Sequence, residues 1–407
     1  MQLSRREALL AMLGMTATLA APKLPGAQAL ASAEGGWDDL AVQFMIHPEL
    51  AYLNTGALGA TPKAVLQKVT EATYGLEQHP AANQYTLFAE QIFRAKRTVA
   101  RFIRCASDDL VMTGGTTDGM AMVLSGLSLS PGQRVLLTSH EYARLREYWE
   151  HFSRKHRVAL DVVELPLLPQ GEDEVVECIK AALKPDTHVI FMSHVTSANG
   201  LRLPVAAVAE VARRHDCLLM VDGAQAVGAV PVDMQALGCD VYAASGHKWL
   251  LGPKATGFLY ISARARATLS APGLTNGYGK KFNNVSVQNL PGIIGLGAAI
   301  EWRERLGHGK VQVRLEALHG ALYAALQAIP SIRLMSPPPG SALASPMIAL
   351  AFRNRQKSSL AEALLNDNVA VKQIEGYPGE IDIRVGGHVY NTDMHIRRLS
   401  ESLTKFG

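Results

Sequence analysis

Two polar residues at the ends of apolar, strand-like runs constrain the fold of this chain most. Asp222 follows the run 217–221, and Lys248 follows the run 241–244 after a short Ser-Gly-His sequence. The lysine precedes Trp-Leu-Leu-Gly-Pro, a mostly apolar setting, and burial lowers a lysine's pKa and makes it a usable nucleophile and base. A pyridoxal 5'-phosphate (PLP) site requires a lysine that condenses with the aldehyde and a carboxylate that pairs with the pyridinium nitrogen. The pair therefore predicts PLP as cofactor, with Lys248 and Asp222 as catalytic residues.

Apolar runs of strand length alternate with patterns of helical spacing through the chain. The strand-like runs are 135–138, 189–192, 218–221, 241–244, 257–261, 347–352 and 380–384, and the helical patterns include 120–127, 204–215 and a long one from about 293. Such alternation is typical of an α/β fold in which helices cover both faces of a parallel sheet. Ligands bind at the carboxyl ends of strands in these sheets, which is where Asp222 and Lys248 fall.

Length and composition describe a globular enzyme. The 407 residues suit a large α/β domain together with a smaller domain. The content of 48% hydrophobic and 19% charged residues is not that of a disordered or fibrous chain. The formal net charge is +4, and it would fall to +2 without residues 1–29, which hold three basic residues and one acidic residue. With no basic stripe in the remainder, the sequence predicts no nucleic-acid partner.

The first residues have the pattern of a targeting segment. Arg5 and Arg6 precede a mildly apolar run over 8–21, which is shorter than the roughly 20 apolar residues of a membrane span. Paired arginines before such a run resemble a twin-arginine (Tat) signal, with an ordinary Sec signal as the alternative. The prediction is a signal peptide over 1–29, with a later cleavage at 33 as the alternative, that directs periplasmic export by the Tat translocase without a stable membrane anchor.

The cysteines indicate neither a metal site nor a disulfide framework. Cys105, Cys178, Cys217 and Cys239 show no CxxC or metal-type spacing. Cys217 and Cys239 lie in apolar runs and are interpreted as small core residues. No metal ligand is predicted.

The sequences Val-Asp-Gly-Ala-Gln at 221–225 and Ser-Gly-His-Lys at 245–248 resemble the class V aminotransferase family of fold-type I PLP-dependent enzymes. The resemblance is strongest to the branch similar to isopenicillin N epimerase. It implies a large domain over 60–290, with a mostly parallel seven-stranded sheet between helices. It also implies a smaller α+β domain formed by 34–59 and 291–407, and a homodimer.

The resemblance extends to the contacts of the cofactor. The sequence Thr-Gly-Gly-Thr-Thr-Asp-Gly-Met at 113–120 joins a strand to a helical run and matches the family's phosphate cradle, since glycines and a helix N-terminus can hold an anion. The implied cofactor-binding residues are Thr116, Thr117, His140, Asp222, Gln225, Ser245, His247 and Lys248. Gln225 would bond to the phenolic oxygen, and His140 would stack on the ring, with Tyr142 as the alternative.

Two further segments match the family's substrate site. Ile-Arg-Val at 383–385, followed by Tyr-Asn-Thr at 390–392, resembles the segment whose arginine binds the substrate α-carboxylate, which implies Arg384. A guanidinium fork suits a carboxylate. Tyr-Leu-Asn-Thr-Gly at 52–56 resembles the segment that lines the substrate pocket, which implies Asn54.

Two departures from the family pattern leave contacts open. Ser197 stands where many relatives place an asparagine near the phenolic oxygen. Residues 285–290 lack the Gly-Thr pair that often reaches the neighbouring subunit's phosphate, so a phosphate contact across the dimer stays open.

The expected reaction is aminotransferase-like chemistry at the Cα of a small-molecule amino acid or of an amino-acid residue in a peptide. Lys248 would move the Cα proton, and Asp222 would keep the ring nitrogen protonated. Lyase, decarboxylase and epimerase reactions are alternatives, and a non-catalytic binding protein with a retained PLP fold is a further one. Desulfurases in the family use a cysteine shortly before the carboxylate-binding arginine, and because no cysteine follows Cys239, this activity is disfavoured.

Overall fold

The structure is a computed structural model that describes residues 36–78, 80, 87–270, 289–353, 360–375 and 381–406. The predicted signal peptide, 1–29, lies outside the described residues, as do 285–288 of the segment expected near the dimer phosphate. Residues 35–407 form one compact unit. The division into a large and a small domain stays a prediction. Within the described ranges, no helix has both the length and the apolar character needed to cross a membrane.

The central element is a seven-stranded sheet whose strands follow the order β2-β8-β7-β6-β5-β3-β4. Its strands are β2 (Leu110–Thr113), β3 (Arg134–Thr138), β4 (Ala159–Val163), β5 (Thr187–Ser193), β6 (Leu218–Asp222), β7 (Val241–Ser245) and β8 (Gly257–Ile261). Strand β8 is antiparallel to both of its neighbours, and the pairs among β3 to β7 are parallel. The mostly parallel α/β sheet expected from the sequence is therefore confirmed.

Helices of varied length connect and cover the strands. They are α1 (Lys63–Gln78), α2 (Leu87–Phe102), α3 (Thr116–Gly126), α4 (Ala143–His156), α5 (Glu172–Ala182), α6 (Val205–Arg214), α7 (Met234–Leu237), α8 (Ala263–Thr268), α9 (Leu290–Leu306), α10 (His308–Gln327), α11 (Leu360–Asn366) and α12 (Asp393–Thr404). Short 3-10 helices cover Trp37–Gln43 and Ser107–Asp109.

Both faces of the seven-stranded sheet are buried. Leu219 and Val221 of β6 lie in one hydrophobic cluster together with residues of α6, while Met220 lies in a second cluster together with residues of α3 and α4. Successive side chains of a strand point to opposite faces, so a strand covered on both sides needs apolar residues at every position. This requirement explains why the run before Asp222 is continuously apolar rather than alternating.

Smaller sheets lie in the remainder of the chain. The strands are β1 (Ala51–Tyr52), β9 (Ile332–Leu334), β10 (Ile348–Phe352), β11 (Val369–Ala370), β12 (Lys372–Gln373) and β13 (Ile383–Val385). β1 pairs with β11, and β12, β13, β10 and β9 form an antiparallel sheet in that order. Helix α9 packs against α1 and α2 and buries Ile293, Leu296 and Ile300 in a cluster of the seven-stranded sheet. The segment after residue 290 thus shares its core with the central sheet.

Candidate active site

Asp222 is the last residue of β6, and its side chain is only 4% exposed. Its Oδ1 atom accepts a hydrogen bond from the backbone N–H of Ala224 at 2.8 Å. Burial raises the pKa of Asp222, while the nearby Lys248 and the Ala224 hydrogen bond act in the opposite direction. Strand β6 therefore ends in a buried carboxyl group, and a nearby positive charge is needed to stabilise its ionised form.

Lys248 lies in the turn that follows β7. The carbonyl of the preceding His247 accepts a hydrogen bond from the Gly59 N–H at 2.8 Å, and the Lys248 carbonyl accepts one from the Leu251 N–H at 3.1 Å. Burial lowers the Lys248 pKa to about 8, the carboxylate of Asp222 opposes this shift, and the guanidinium of Arg384 adds to it. At pH 7 a lysine with this pKa is neutral and nucleophilic for roughly a tenth of the time, far more than a lysine with an ordinary pKa.

A polar cradle forms where the start of α3 meets the end of β7. Ser245 Oγ accepts a hydrogen bond from the Thr116 N–H at 3.1 Å and lies 2.9 Å from Thr116 Oγ1. His247 Nδ1 lies 3.2 Å from the carbonyl oxygen of Thr256. Thr116, Thr117, Ser245 and His247 all line one cavity. The structure therefore brings the four expected phosphate residues together at a helix N-terminus, where an anion is favoured.

Glycine is required beside this cradle. Gly115 has a φ of +149°, and a Cβ placed there would lie 3.3 Å from both the His247 ring and Ser245 Oγ. Across the sheet, a Cβ on Gly257 would lie 2.6 Å from the Gly115 Cα. The space over the helix N-terminus exists because these positions carry no side chain.

Gln225 connects three distant parts of the chain. Its Nε2 donates to the Gly56 carbonyl at 2.8 Å, and its Oε1 accepts from Trp249 Nε1 at 2.9 Å. The amide nitrogen carries two hydrogens, so one remains for a ligand in the cavity that Gln225 lines. This geometry is compatible with the expected bond to a phenolic oxygen.

Arg384 reaches the same cavity from β13. The residue is 5% exposed, and its Nη1 donates to the Ser197 carbonyl. Burial lowers its pKa to about 10. Within the described ranges, no carboxylate forms an ion pair with the guanidinium. A buried guanidinium of this kind suits the carboxylate of a bound molecule.

The second segment expected at the substrate site, residues 52–56, reaches the cavity through Gly56 and not through Asn54. Asn54 forms a β-bridge with Gly386, and its buried Oδ1 has no hydrogen-bond partner among the described residues. The cavity lining includes Gly56 and Ala57, and a Cβ on Gly56 would lie 2.9 Å from Arg384 Nη2. The assignment of Asn54 to the substrate stays a prediction.

The two candidates for ring stacking differ in their surroundings. His140 is buried, and its Nδ1 lies 3.0 Å from Ser139 Oγ. Burial lowers the His140 pKa to about 4, so its imidazole is neutral at physiological pH. Tyr142 is 47% exposed and belongs to the cavity lining.

Glu141 is a cavity residue that the sequence interpretation did not assign. Its carboxyl accepts hydrogen bonds from Thr138 Oγ1 at 2.5 Å, from the Ser193 N–H at 3.0 Å and from Ser193 Oγ at 2.7 Å. Burial raises its pKa to about 7, and the charge of Asp222 adds to the shift. The sequence did contain a signal, because Glu141 is a polar residue that closely follows a buried strand. The sequence interpretation assigned that position to the adjacent His140 instead.

Apart from His140 and Asn54, which are not part of the lining, the predicted site residues line a cavity of about 900 Å³ that also includes Lys372 to Glu375 of the β12 segment. PLP needs an amine, a partner for a ring N–H and an anion cradle. Lys248, Asp222 and the space over Gly115 supply these groups, so the site fits the cofactor. Among the described residues, no group of three His, Cys, Asp or Glu side chains could hold a metal ion.

This chain is similar to known PLP-dependent enzymes of the class V aminotransferase family. The family model described as Aminotransferase class-V matches residues 51–381. Isopenicillin N epimerase of Amycolatopsis lactamdurans is 30% identical over 396 residues, covering 90% of this chain and 98% of the relative. A probable cysteine desulfurase of Vibrio cholerae is 25% identical over 387 residues, covering 88% of this chain and 93% of the relative.

A solved structure shows the same fold. A C-DES mutant with glycine covalently linked to the PLP cofactor superposes with a TM-score of 0.81 at 23% identity, covering 90% of this chain and 99% of that one. The likeness confirms the expected α/β fold with its mostly parallel central sheet.

Proposed function

Because the chain belongs to the class V aminotransferase family and is a PLP-dependent enzyme, we propose that it carries out aminotransferase-like chemistry at the Cα of an amino acid or of an amino-acid residue in a larger molecule. The observation that carries this proposal is the arrangement of one cavity. An amine with a lowered pKa, a buried carboxyl group and a buried guanidinium without a carboxylate partner among the described residues all face it.

When bound, PLP supplies an electron sink that stabilises negative charge at the substrate Cα. Asp222 holds the proton of the ring nitrogen, because its buried carboxylate is stabilised by an adjacent positive charge. Lys248 moves the Cα proton, since its pKa of about 8 allows it both to accept and to return a proton near neutral pH.

The remaining residues position the two ligands. Thr116 and Ser245 bind the phosphate at the start of α3. Arg384 binds the substrate α-carboxylate, which would place the Cα near Lys248 in the shared cavity. His140 is the residue expected from the sequence to stack on the ring, but Tyr142 lines the cavity and His140 does not, so Tyr142 would take this role.

Cysteine desulfurases are among the relatives, but the cysteines of this chain favour another reaction. The printed sequence has no cysteine after Cys239. All four cysteines lie among the described residues, and the cavity lining contains none of them. Burial raises the pKa of Cys239 and Cys217, which disfavours their thiolates. A desulfurase would need a nucleophilic thiolate close to the substrate sulfur.

Epimerisation is the second candidate, because isopenicillin N epimerases match 90% of the chain. Lys248 would remove the Cα proton in either reaction. The difference would lie in whether a proton returns to the opposite face of Cα, and Tyr142, which lines the same cavity as Lys248, would be the candidate donor.

We further propose that the mature enzyme acts in the periplasm as a homodimer. Its support for export is the Arg5-Arg6 pair before a short apolar run. The twin-arginine route carries folded proteins, so cofactor loading in the cytoplasm would precede export.

Product analysis tests the reaction. The PLP-loaded enzyme would be incubated with a panel of amino acids and keto acids, and products would be identified by mass spectrometry and chiral chromatography. Transamination predicts a keto acid and an aminated partner in equal amounts. Inverted stereochemistry without a keto acid would support epimerisation, and sulfane sulfur or eliminated products would contradict the proposal.

A further inference from the structure

A buried carboxyl group beside Asp222 has no part in the function described above. Glu141 lies in the turn between β3 and α4, is 7% exposed, and lines the same cavity as Asp222 and Lys248. Removing a carboxylate from water is costly unless hydrogen bonds compensate. The three bonds from Thr138 and Ser193 offset part of this cost and orient the Glu141 carboxyl group.

The β-sheet connects Glu141 to Asp222 through one residue. Ser193 ends β5 and is the Cα partner of Asp222 on β6. Glu141 is bonded to both the N–H and the hydroxyl of Ser193. The charge of Asp222 adds to the effect of burial in raising the pKa of Glu141.

We propose that Glu141 is a positioning residue that acts through Asp222 and places a second negative charge at the ring-nitrogen end of the PLP site. This inference rests on the proposed role of Asp222 as the partner of the ring nitrogen. A carboxylate next to Asp222 increases the affinity of this region for a proton. The ring N–H would in turn offset the charge of Asp222 and favour the ionised form of Glu141.

Several other titratable groups surround this pair. Tyr242 and His194 are uncharged near neutral pH, because burial raises the pKa of Tyr242 and lowers that of His194 to about 3. His140 and Tyr142 flank Glu141 on its own turn, and the lowered pKa of His140 keeps it neutral. From the neighbouring elements, Lys248 interacts with Asp222, and Arg384 interacts with Lys248. Thr138 and Ser193 contribute uncharged donors.

The test is nitrogen NMR of the holoenzyme loaded with PLP that carries ¹⁵N in the ring. Glu141→Gln removes the charge with little change in size. We expect the ring resonance to move towards the value of unprotonated pyridine, and the pH at which the ring proton is lost to fall by about one unit. Glu147→Gln is the matched control, because Glu147 is exposed on α4, and it should leave the signal unchanged.

Further variants separate a charge effect from a structural one. Glu141→Asp disturbs the hydrogen bonds but keeps the charge, so a signal close to the wild type is expected even if the melting temperature falls. If Glu141→Asp instead loses the ring proton, as expected for a variant without Asp222, the role of Glu141 is purely structural and the inference is overturned. This second variant also carries the test if Glu141→Gln fails to fold.

Asp222→Ala distinguishes the inference from the function on which it rests. If Asp222→Ala moves the resonance and Glu141→Gln does not, the role of Glu141 is wrong and that of Asp222 stands. If Asp222→Ala leaves the resonance in place, the assignment of Asp222 to the ring nitrogen is wrong, and the role of Glu141 is overturned with it.

Discussion

Ser245 Oγ accepts a hydrogen bond from the backbone N–H of Thr116 at 3.1 Å, which joins the end of β7 to the first turn of α3. Lys248 follows Ser245 by three residues, so this contact fixes the anion cradle relative to the reactive amine. The cradle remains open because Gly115, which precedes Thr116, has no side chain.

Gly115→Ala tests this arrangement. The φ of +149° lies in a region adopted almost solely by glycine, so we expect a destabilisation of about 1–3 kcal/mol. The added methyl group should also weaken PLP binding, because it would approach His247 and Ser245. Gly171→Ala is the matched control, since its φ of −175° is ordinary extended backbone and its Cβ would meet open space. Chemical denaturation and PLP titration of both variants measure the effects, and equal results would contradict the prediction.

Asp222→Ala should reduce turnover by roughly a hundredfold or more, the scale of one well-placed electrostatic group. The reason is that the ring nitrogen would no longer be held protonated. Steady-state kinetics at saturating PLP make the measurement. A loss smaller than about tenfold with PLP still bound would show that another group supports the nitrogen.

Arg384→Ala should weaken substrate binding by about 2–4 kcal/mol, the range for removing one partner of a desolvated charge pair. Its PLP spectrum should stay unchanged, because Arg384 is assigned to the substrate. Arg397→Ala, an exposed arginine on α12, is the control. Normal substrate affinity in Arg384→Ala would remove the main support for an α-amino-acid substrate.

The catalytic pair could be predicted from the sequence because its signals are local. The apolar runs before Asp222 and Lys248 are continuous, and such runs indicate strands buried on both faces. Strand β4 was missed, since Ala159–Val163 is mostly half-buried and its composition is mixed. Lys248, Asp222, Gln225 and Arg384 were each expected at the site, and the structure places all four in the lining of one cavity.

Contacts between distant segments could not be predicted in the same way. Glu141 reads in sequence as an ordinary acidic residue before a helix, and only its bonds to Ser193, 52 residues away, show that it is buried. The bond from Gln225 to Gly56 spans 169 residues. The choice between His140 and Tyr142 depends on the path of a turn, which residue types alone do not specify.

The double variant Arg5→Lys and Arg6→Lys tests the proposed export. Because the twin-arginine translocase recognises the paired arginines, the precursor should remain in the cytoplasm with its cofactor bound. Cell fractionation with detection of the chain in each compartment makes the measurement. Unimpaired periplasmic delivery would indicate a Sec signal instead.

The central claim is that Lys248 is the residue that carries PLP, and borohydride reduction followed by peptide mass mapping tests it most directly. Reduction fixes the cofactor on the amine to which it is bound. The account predicts the phosphopyridoxyl group on the peptide that contains Lys248, and a Lys248→Ala protein that is folded but has lost both the label and the visible absorbance. A label on another lysine such as Lys254, or a Lys248→Ala variant with an unchanged spectrum and full activity, would contradict it.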